Sequence, residues 1–313
     1  MNDFKITNEL NIRYTKLTFH LKFRSNTKLS QYKASAIRGG MGEQLLNRNC
    51  ISNRKCEECD FESECIVRRT IYSKMKIKPE FMNVGDSVGY IVECVDERNE
   101  FGPWDILSFD LFIFGDTIAH AGQMIRAVIE LGKVGLGTKR AQFVVRDILS
   151  MDSSQLFNDG EVDLSRIVVS TVAKYVEMRM RQISFRGKSN RLIFETALQL
   201  KHEGAFLKEY DIEILVKAAQ RRIYMLDCFE GIDGYGLYEA DATAPAIVEQ
   251  ESKTIRIPRY SSTHQKMIVL EGIVGYVQLD ALEDEFILKI LLAGEILHVG
   301  KLTSFGLGKY RVR

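Results

Sequence analysis

Gly294–Arg313 reads GEILHVGKLTSFGLGKYRVR. Gly300, Gly306 and Gly308 stand among Lys301, Thr303, Ser304, Lys309, Arg311 and Arg313, with no acidic residue between Val299 and Arg313. Glycine lets backbone N–H groups come close to an oxyanion because no Cβ intervenes. Lysine, arginine and hydroxyl side chains are phosphate donors. A glycine-cornered turn into a last strand, Lys309–Val312, accounts for the same residues without any ligand. The pattern recurs about 170 residues upstream, where Gly132–Val145 reads GKVGLGTKRAQFVV. Both copies carry Gly-Lys, then Gly-Leu-Gly, then a basic residue and an apolar run, and each follows an amphipathic stretch, Asp116–Leu131 or Glu283–Leu297. Recurrence at domain-sized spacing predicts two related halves.

Working outward from the upstream copy, Tyr14–Arg24 alternates Leu17, Phe19, Leu21 and Phe23 with polar residues, the period of a half-buried strand. Ser30 is placed to cap a helix running to Asn47. Gly39 and Gly40 lie inside it, where glycine is unfavourable unless it serves close packing or a ligand. Val88–Val95 and Ile106–Phe114 read as strands joined through Glu97–Gly102, followed by the helix Asp116–Leu131 and a strand Ala141–Ile148. The order strand, helix, strand, strand, helix, strand is the ferredoxin-like pattern. Met151–Val162, rich in Asp, Ser, Asn and Gly, reads as a linker. The second half is expected to repeat the order: strand Lys174–Phe185, helix Asp211–Phe229, strands Thr254–Ile257 and Met267–Leu279 around the turn Arg259–Lys266, then the helix from Glu283 and the final strand. Gln199–Leu207 has no clear assignment. The expected fold is α+β: two tandem ferredoxin-like (RRM-like) domains, 1–152 and 163–313, with a cysteine-rich insertion in the first.

The chain has 313 residues, 45% hydrophobic and 27% charged, as expected of a globular protein with two cores. Its formal net charge of +1 hides a segregation. Arg13–Lys78 holds 15 Lys and Arg against 6 Asp and Glu, while Glu80–Asp116 holds 9 acidic residues against Arg98 alone. Local patches rather than net charge set phosphate affinity. Met1–Arg13 has no apolar signal-peptide core and no run is long enough to span a membrane, so a cytoplasmic protein is expected.

Four of the six cysteines, Cys50, Cys56, Cys59 and Cys65, fall within sixteen residues. Cys56-Glu-Glu-Cys59 has the knuckle spacing that lets two thiolates hold one metal ion. In a reducing compartment a structural zinc bound by all four is expected. An iron–sulfur cluster, or idle or disulfide-bonded thiols, are the alternatives. Cys94 and Cys228 lie in apolar segments and read as core thiols.

Three stretches resemble the CRISPR-associated repeat-processing endoribonucleases of the RAMP superfamily, in the group with a conserved glycine-rich C-terminal domain. They are Gly294–Tyr310; Arg259–Met267, RYSSTHQKM, with Gly272–Leu279, GIVGYVQL; and Ile37–Leu46, IRGGMGEQLL. The resemblance implies two ferredoxin-like domains, CRISPR repeat RNA as partner, and a cut made without a catalytic metal. Arg38, Arg259, Lys266, Gly300, Lys301, Thr303, Ser304, Gly306, Gly308 and Lys309 are the RNA-binding candidates.

Without a metal, RNA is cut by its own 2′-hydroxyl attacking the adjacent phosphate. A base removes the 2′ proton, cations stabilise the phosphorane, and an acid protonates the leaving 5′ oxygen. Histidine suits such transfers near neutral pH. Many members of the family carry a catalytic histidine at the first helix, but Lys28–Leu46 has none; Tyr32, Lys33 and Arg38 are the polar groups there. His264, in the turn with Arg259 and Lys266, is the first candidate for proton transfer and His298 the second. Tyr32 and Lys33 are further catalytic candidates. A non-catalytic RNA-binding subunit of a CRISPR effector complex, in contact with other subunits, is the alternative function.

Overall fold

In this computed structural model residues 10–72, 75–79, 88–137, 139–158, 160–186, 190–232, 244–261 and 266–313 are described. The chain divides into two compact units. One comprises Tyr14–Lys76 and Glu80–Val169; the other comprises Ile77–Pro79 and Ser170–Arg313, together with the N-terminal residues up to Arg13.

The first unit is built from β1 (Arg13–Phe23), α1 (Ala34–Asn49), β2 (Tyr90–Glu93), β3 (Ile106–Phe114), α2 (Ala121–Val134) and β4 (Phe143–Leu149). The strand order is β2-β3-β1-β4, all antiparallel. Alternation in β1 does what its period demands: Leu17, Phe19, Leu21 and Phe23 are all buried. Phe19 pairs in register with Phe109 and stacks on it at 4.8 Å between ring centroids. α1 begins at Ala34 with Lys33 at the cap position and no side-chain cap, so Ser30 does not serve as one. Gly40 lets α1 meet α2, since a Cβ there would sit 2.5 Å from a methyl of Leu131. Gly39 faces open space. A 3-10 turn, Gly115–His120, occupies the start of the expected second helix. Met151–Val162 belongs to this unit, where Phe157–Asn158 pairs with Glu161–Val162.

The second unit contains α3 (Val172–Arg186), β5 (Arg191–Leu198), α4 (Ile212–Glu230), β6 (Ile247–Ser261), β7 (Lys266–Leu279), α5 (Glu285–Leu297) and β8 (Tyr310–Val312). Its sheet order, β6-β7-β5-β8, repeats the first, again antiparallel. The chain is thus a mixed α/β protein with antiparallel sheets. Lys174–Phe185, expected as a strand, is instead the helix α3, and the first strand of this half is β5. KYVEMRMRQ alternates polar and apolar residues, but its Met, Glu, Arg and Gln are good helix formers. Burial follows the helical period: Val172 and Val176 are buried, Tyr175 and Arg179 half-buried, Glu177 and Met178 exposed. The segment left unassigned forms a small ribbon, Lys201–His202 with Ala205–Phe206.

α3 is held to the core by a buried carboxylate. Glu295 on α5 is fully buried. It accepts Arg179 Nε at 2.8 Å, Arg179 Nη2 at 3.0 Å, the Tyr175 hydroxyl at 2.7 Å and the Val312 amide at 2.8 Å. Burial, with Glu295 alongside, holds the Tyr175 phenol far above its usual pKa. Removing one member of a buried pair leaves the other uncompensated. Arg179→Met is expected to lower the unfolding free energy by about 3–5 kcal/mol. Urea denaturation measures it, and the double variant Arg179→Met/Glu295→Leu should recover much of the loss.

Candidate nucleic-acid interface

The C-terminal glycine stretch folds onto the end of β5. Gly300, Gly306 and Gly308 all have positive φ, of 91°, 78° and 75°. A Cβ on Gly308 would lie 1.8 Å from the Val299 carbonyl oxygen, and one on Gly300 2.6 Å from that of Gln199. The amide of Lys301 donates to Gln199 O, that of Gly308 to Ala197 O and that of Gly306 to Thr303 O, at 2.8–2.9 Å. The Lys309 amide donates to Thr196 Oγ1, whose hydroxyl donates in turn to Gly306 O. These N–H groups satisfy the protein's own acceptors. The glycines therefore serve first to close the chain on β5, as the simple-turn account requires.

The side chains of the stretch divide accordingly. Thr303 and Ser304 are buried, and Lys309 is buried with Nζ 3.1 Å from Glu195. Lys301 is exposed. Arg259, on β6, lays its guanidinium over the ring of Phe305 at 4.5 Å. This cation–π contact brings the polar end of β6 to the glycine stretch. Lys266 opens β7 opposite Ser261 and is exposed. Lys301, Arg259 and Lys266 are thus the predicted cations that this half offers to solvent wholly or in part. Phe305 was not anticipated; its signal is a half-buried aromatic between glycine turns in a basic run. Thr196 and Gln199, which hold the stretch in place, were hidden because β5 itself was not foreseen.

His264 lies outside the described residues. His298 is fully buried at the end of α5, its Nδ1 3.0 Å from the Leu307 carbonyl oxygen. In this conformation it ties α5 to the glycine stretch and reaches no solvent. In the first unit Lys33 is also buried; its Nζ donates to the carbonyls of Asp96 at 2.7 Å and Gln31 at 3.3 Å. Burial lowers its pKa. Tyr32 is half-buried, and burial with nearby Glu97 raises its pKa, which makes it a poorer base. Arg38 is half-buried with its guanidinium 5.9 Å from the Tyr90 ring. Lys33 and Tyr32 are adjacent, but Lys33 is committed to backbone carbonyls.

Cys50, Cys56, Cys59 and Cys65 all line one hollow of about 270 Å³. None is disulfide-bonded, and the Arg54 amide donates to Cys50 Sγ at 3.1 Å. Among the described residues no three His, Cys, Asp or Glu side chains are gathered closely enough to hold a metal ion. Cys228 is buried as expected, whereas Cys94 is half-buried, with its thiol pushed up to about 11 by burial. No helix among the described residues is long and apolar enough to cross a membrane.

Residues 11–170 match a family model described as the AF_1859_N N-terminal domain, and residues 192–310 match that of the CRISPR-associated endoribonuclease Cas6. The chain belongs to the AF_1859_N family through its N-terminal half, and residues 192–310 are similar to the Cas6 endoribonuclease family. The Cas6 match takes in β5, the β6–β7 hairpin, α5 and the glycine stretch. Among solved structures, Thermus thermophilus Cas6 is similar with a TM-score of 0.51 at 11% identity, covering 96% of this chain and 99% of that one. A Cas6 product complex gives a TM-score of 0.51 at 12% identity, with the same coverage. A partial Cas6-RT-Cas1–Cas2 complex gives 0.60 at 11% identity; 96% of this chain is covered, but only 46% of that chain. At such identities these likenesses establish the fold. No curated protein matches the chain.

Gly308→Ala is expected to cost about 2 kcal/mol or more, since the new Cβ meets backbone in a left-handed conformation. Lys301→Ala should leave stability within about 0.5 kcal/mol of the parent. Paired denaturation curves check both. A stable Gly308→Ala protein would count against the closing role given to that glycine.

Proposed function

We propose that the chain binds CRISPR repeat RNA and cuts it as an endoribonuclease. The observation that carries this is the Cas6 match over residues 192–310, which ends in the glycine stretch. The repeated strand order supports reading each half as a ferredoxin-like (RRM-like) domain. Arg259 with Phe305, Lys301 and Lys266 supplies cations and an aromatic face for an RNA strand.

The proposed reaction is attack of the 2′-hydroxyl on the adjacent phosphate without a catalytic metal. His264 is the proton-transfer candidate, five positions after Arg259 and two before Lys266 in the sequence. His298 is assigned a structural part because it is buried. Lys33, Tyr32 and Arg38 are kept as an alternative group; the lowered pKa of Lys33 favours base chemistry, its burial opposes it. That burial, and the lack of a histidine in Lys28–Leu46, favour one second reading: a non-catalytic RNA-binding subunit alongside other CRISPR proteins.

Incubation of the protein with end-labelled repeat RNA in EDTA separates the two. The endoribonuclease should leave one discrete cut with a cyclic phosphate end, at an unchanged rate in chelator. Single-turnover cleavage by His264→Ala should be slower by about a hundredfold, with RNA affinity nearly unchanged. Salt-sensitive binding with no cleavage by the parent would establish the non-catalytic reading.

The cysteine loop is read as a structural zinc site. The spacing and the common hollow support it, and Ile51 and Phe61, both exposed, leave the loop little core of its own. Elemental analysis of protein purified without chelator should find about one zinc per chain. Cys56→Ser should lose that zinc and lower the melting temperature. Iron in its place would mean a cluster, and neither metal would end the proposal.

A further inference from the structure

A second basic hollow, in the first unit, is not used by anything described above. Its volume is about 810 Å³, and it lies where the end of β1, the loop before β3 and the glycine turn before β4 come together. Backbone hydrogen bonds fix that juxtaposition. The amide of Trp104 donates to Phe23 O at 2.8 Å, and that of Arg24, just past the end of β1, donates to Gln142 O at 3.3 Å. The turn before β4 is closed by Gly135, whose Cβ would lie 2.2 Å from Arg140 O, and by paired hydrogen bonds between Leu136 and Ala141.

The charges here are uncompensated. Arg24, Lys139 and Arg140 line the hollow and are exposed, and among the described residues none has an ion-pair partner. Glu100 is the one carboxylate among the lining residues, and it already pairs with Lys28 at 3.2 Å. Trp104, two residues past the lining residue Gly102, is tied by its amide to Phe23 at the end of β1. It is the only tryptophan in the chain, and it is 64% exposed. Its backbone is left-handed, with φ of 74°, an uncommon and unfavourable state for a bulky residue. Lys22, two residues before Arg24 on the same face of β1, puts its ammonium 4.5 Å from the indole centroid. A flat aromatic held out in water beside unpaired cations is the arrangement that binds single-stranded nucleic acid, with a base on the ring and phosphates on the cations. An acidic peptide would use the cations and leave the indole without a role.

We propose that the hollow of Arg24, Lys139 and Arg140 with Trp104 is a binding site for single-stranded RNA, distinct from the glycine stretch and tolerant of sequence. This rests on the proposed RNA function and names a subsite for it. Stacking on Trp104 fixes one base, and the three cations hold the flanking phosphates without reading base edges.

Trp104, as the sole tryptophan, reports on its own occupancy. Its fluorescence should be quenched on titration with oligouridylate or repeat RNA, at the midpoint seen by anisotropy with the same labelled RNA. Trp104→Ala should weaken binding by about five- to hundredfold and Trp104→Phe should restore most of it. Lys139→Ala/Arg140→Ala should lower the slope of log affinity against log salt by about one to two. All of these positions are exposed, and circular dichroism confirms that each variant is folded. RNA binding by anisotropy with no change in Trp104 fluorescence, and variants that bind like the parent, would overturn the subsite and leave the RNA function standing. No binding of any RNA would overturn both. Quenching or competition by polyglutamate at the hollow, with RNA bound elsewhere, would overturn the RNA assignment in favour of an acidic protein partner.

Discussion

A carboxylate with no access to water must find its hydrogen bonds within the protein, and Glu295 finds them in α3 and β8. Arg179 and Tyr175 lie four residues apart on one face of α3, so a single helical turn delivers both to the same oxygens. Val312 adds its amide, which pins the last strand to α5. Arg311 extends the network by donating to the Tyr175 hydroxyl at 2.7 Å. Breaking the arrangement would free a helix, a helix and a strand at once. Of α3's apolar side chains only Val172 and Val176 are buried, so this ion pair carries much of what fixes the helix.

β8 follows directly from the glycine stretch, so the clamp also bears on the candidate interface. Held at its near end by Gln199, at Gly308 and Lys309 by Ala197 and Thr196, and at Val312 by Glu295, the stretch has little freedom. Gly300 and Gly308 are required by contacts with backbone carbonyls that a Cβ there would meet. The basic groups left to solvent are the side chains around the closed stretch. Lys301 and Lys266 stand in solvent, and Arg259 is oriented by Phe305. Lys309, equally basic in sequence, is withdrawn into an ion pair with Glu195. Two lysines eight residues apart thus have opposite roles, and only their burial separates them.

Much of the architecture was legible from periodicity. The alternation of β1 is a direct consequence of one buried face, and the helices α4 and α5 announce themselves by apolar spacing; the structure adds side-chain caps at Asp211 and Asp284. The likeness of the two glycine stretches was legible too, because each turns the chain from the last helix of its half into the last strand. α3 was not. Alternating polar and apolar residues fit a strand as well as one helical face, and the choice depends on which side meets a core that the local sequence does not contain. With α3 misassigned, β5 and the Thr196–Gln199 floor of the glycine stretch went unseen.

Composition and spacing determined that this chain is a two-part α/β protein with a basic, glycine-rich end and a four-cysteine loop. Those features depend on neighbours in sequence, through turn conformation, periodicity and thiol spacing. Only the tertiary structure decided which polar groups are available for binding. His298 and Lys309 look functional in the sequence and are consumed internally, while Trp104 and Arg140 look unremarkable and stand exposed, Arg140 in the lining of a hollow. Availability is set by what packs over a side chain and which partner neutralises it. In this protein those partners come from other elements, as Leu307 does for His298 and Glu195 does for Lys309.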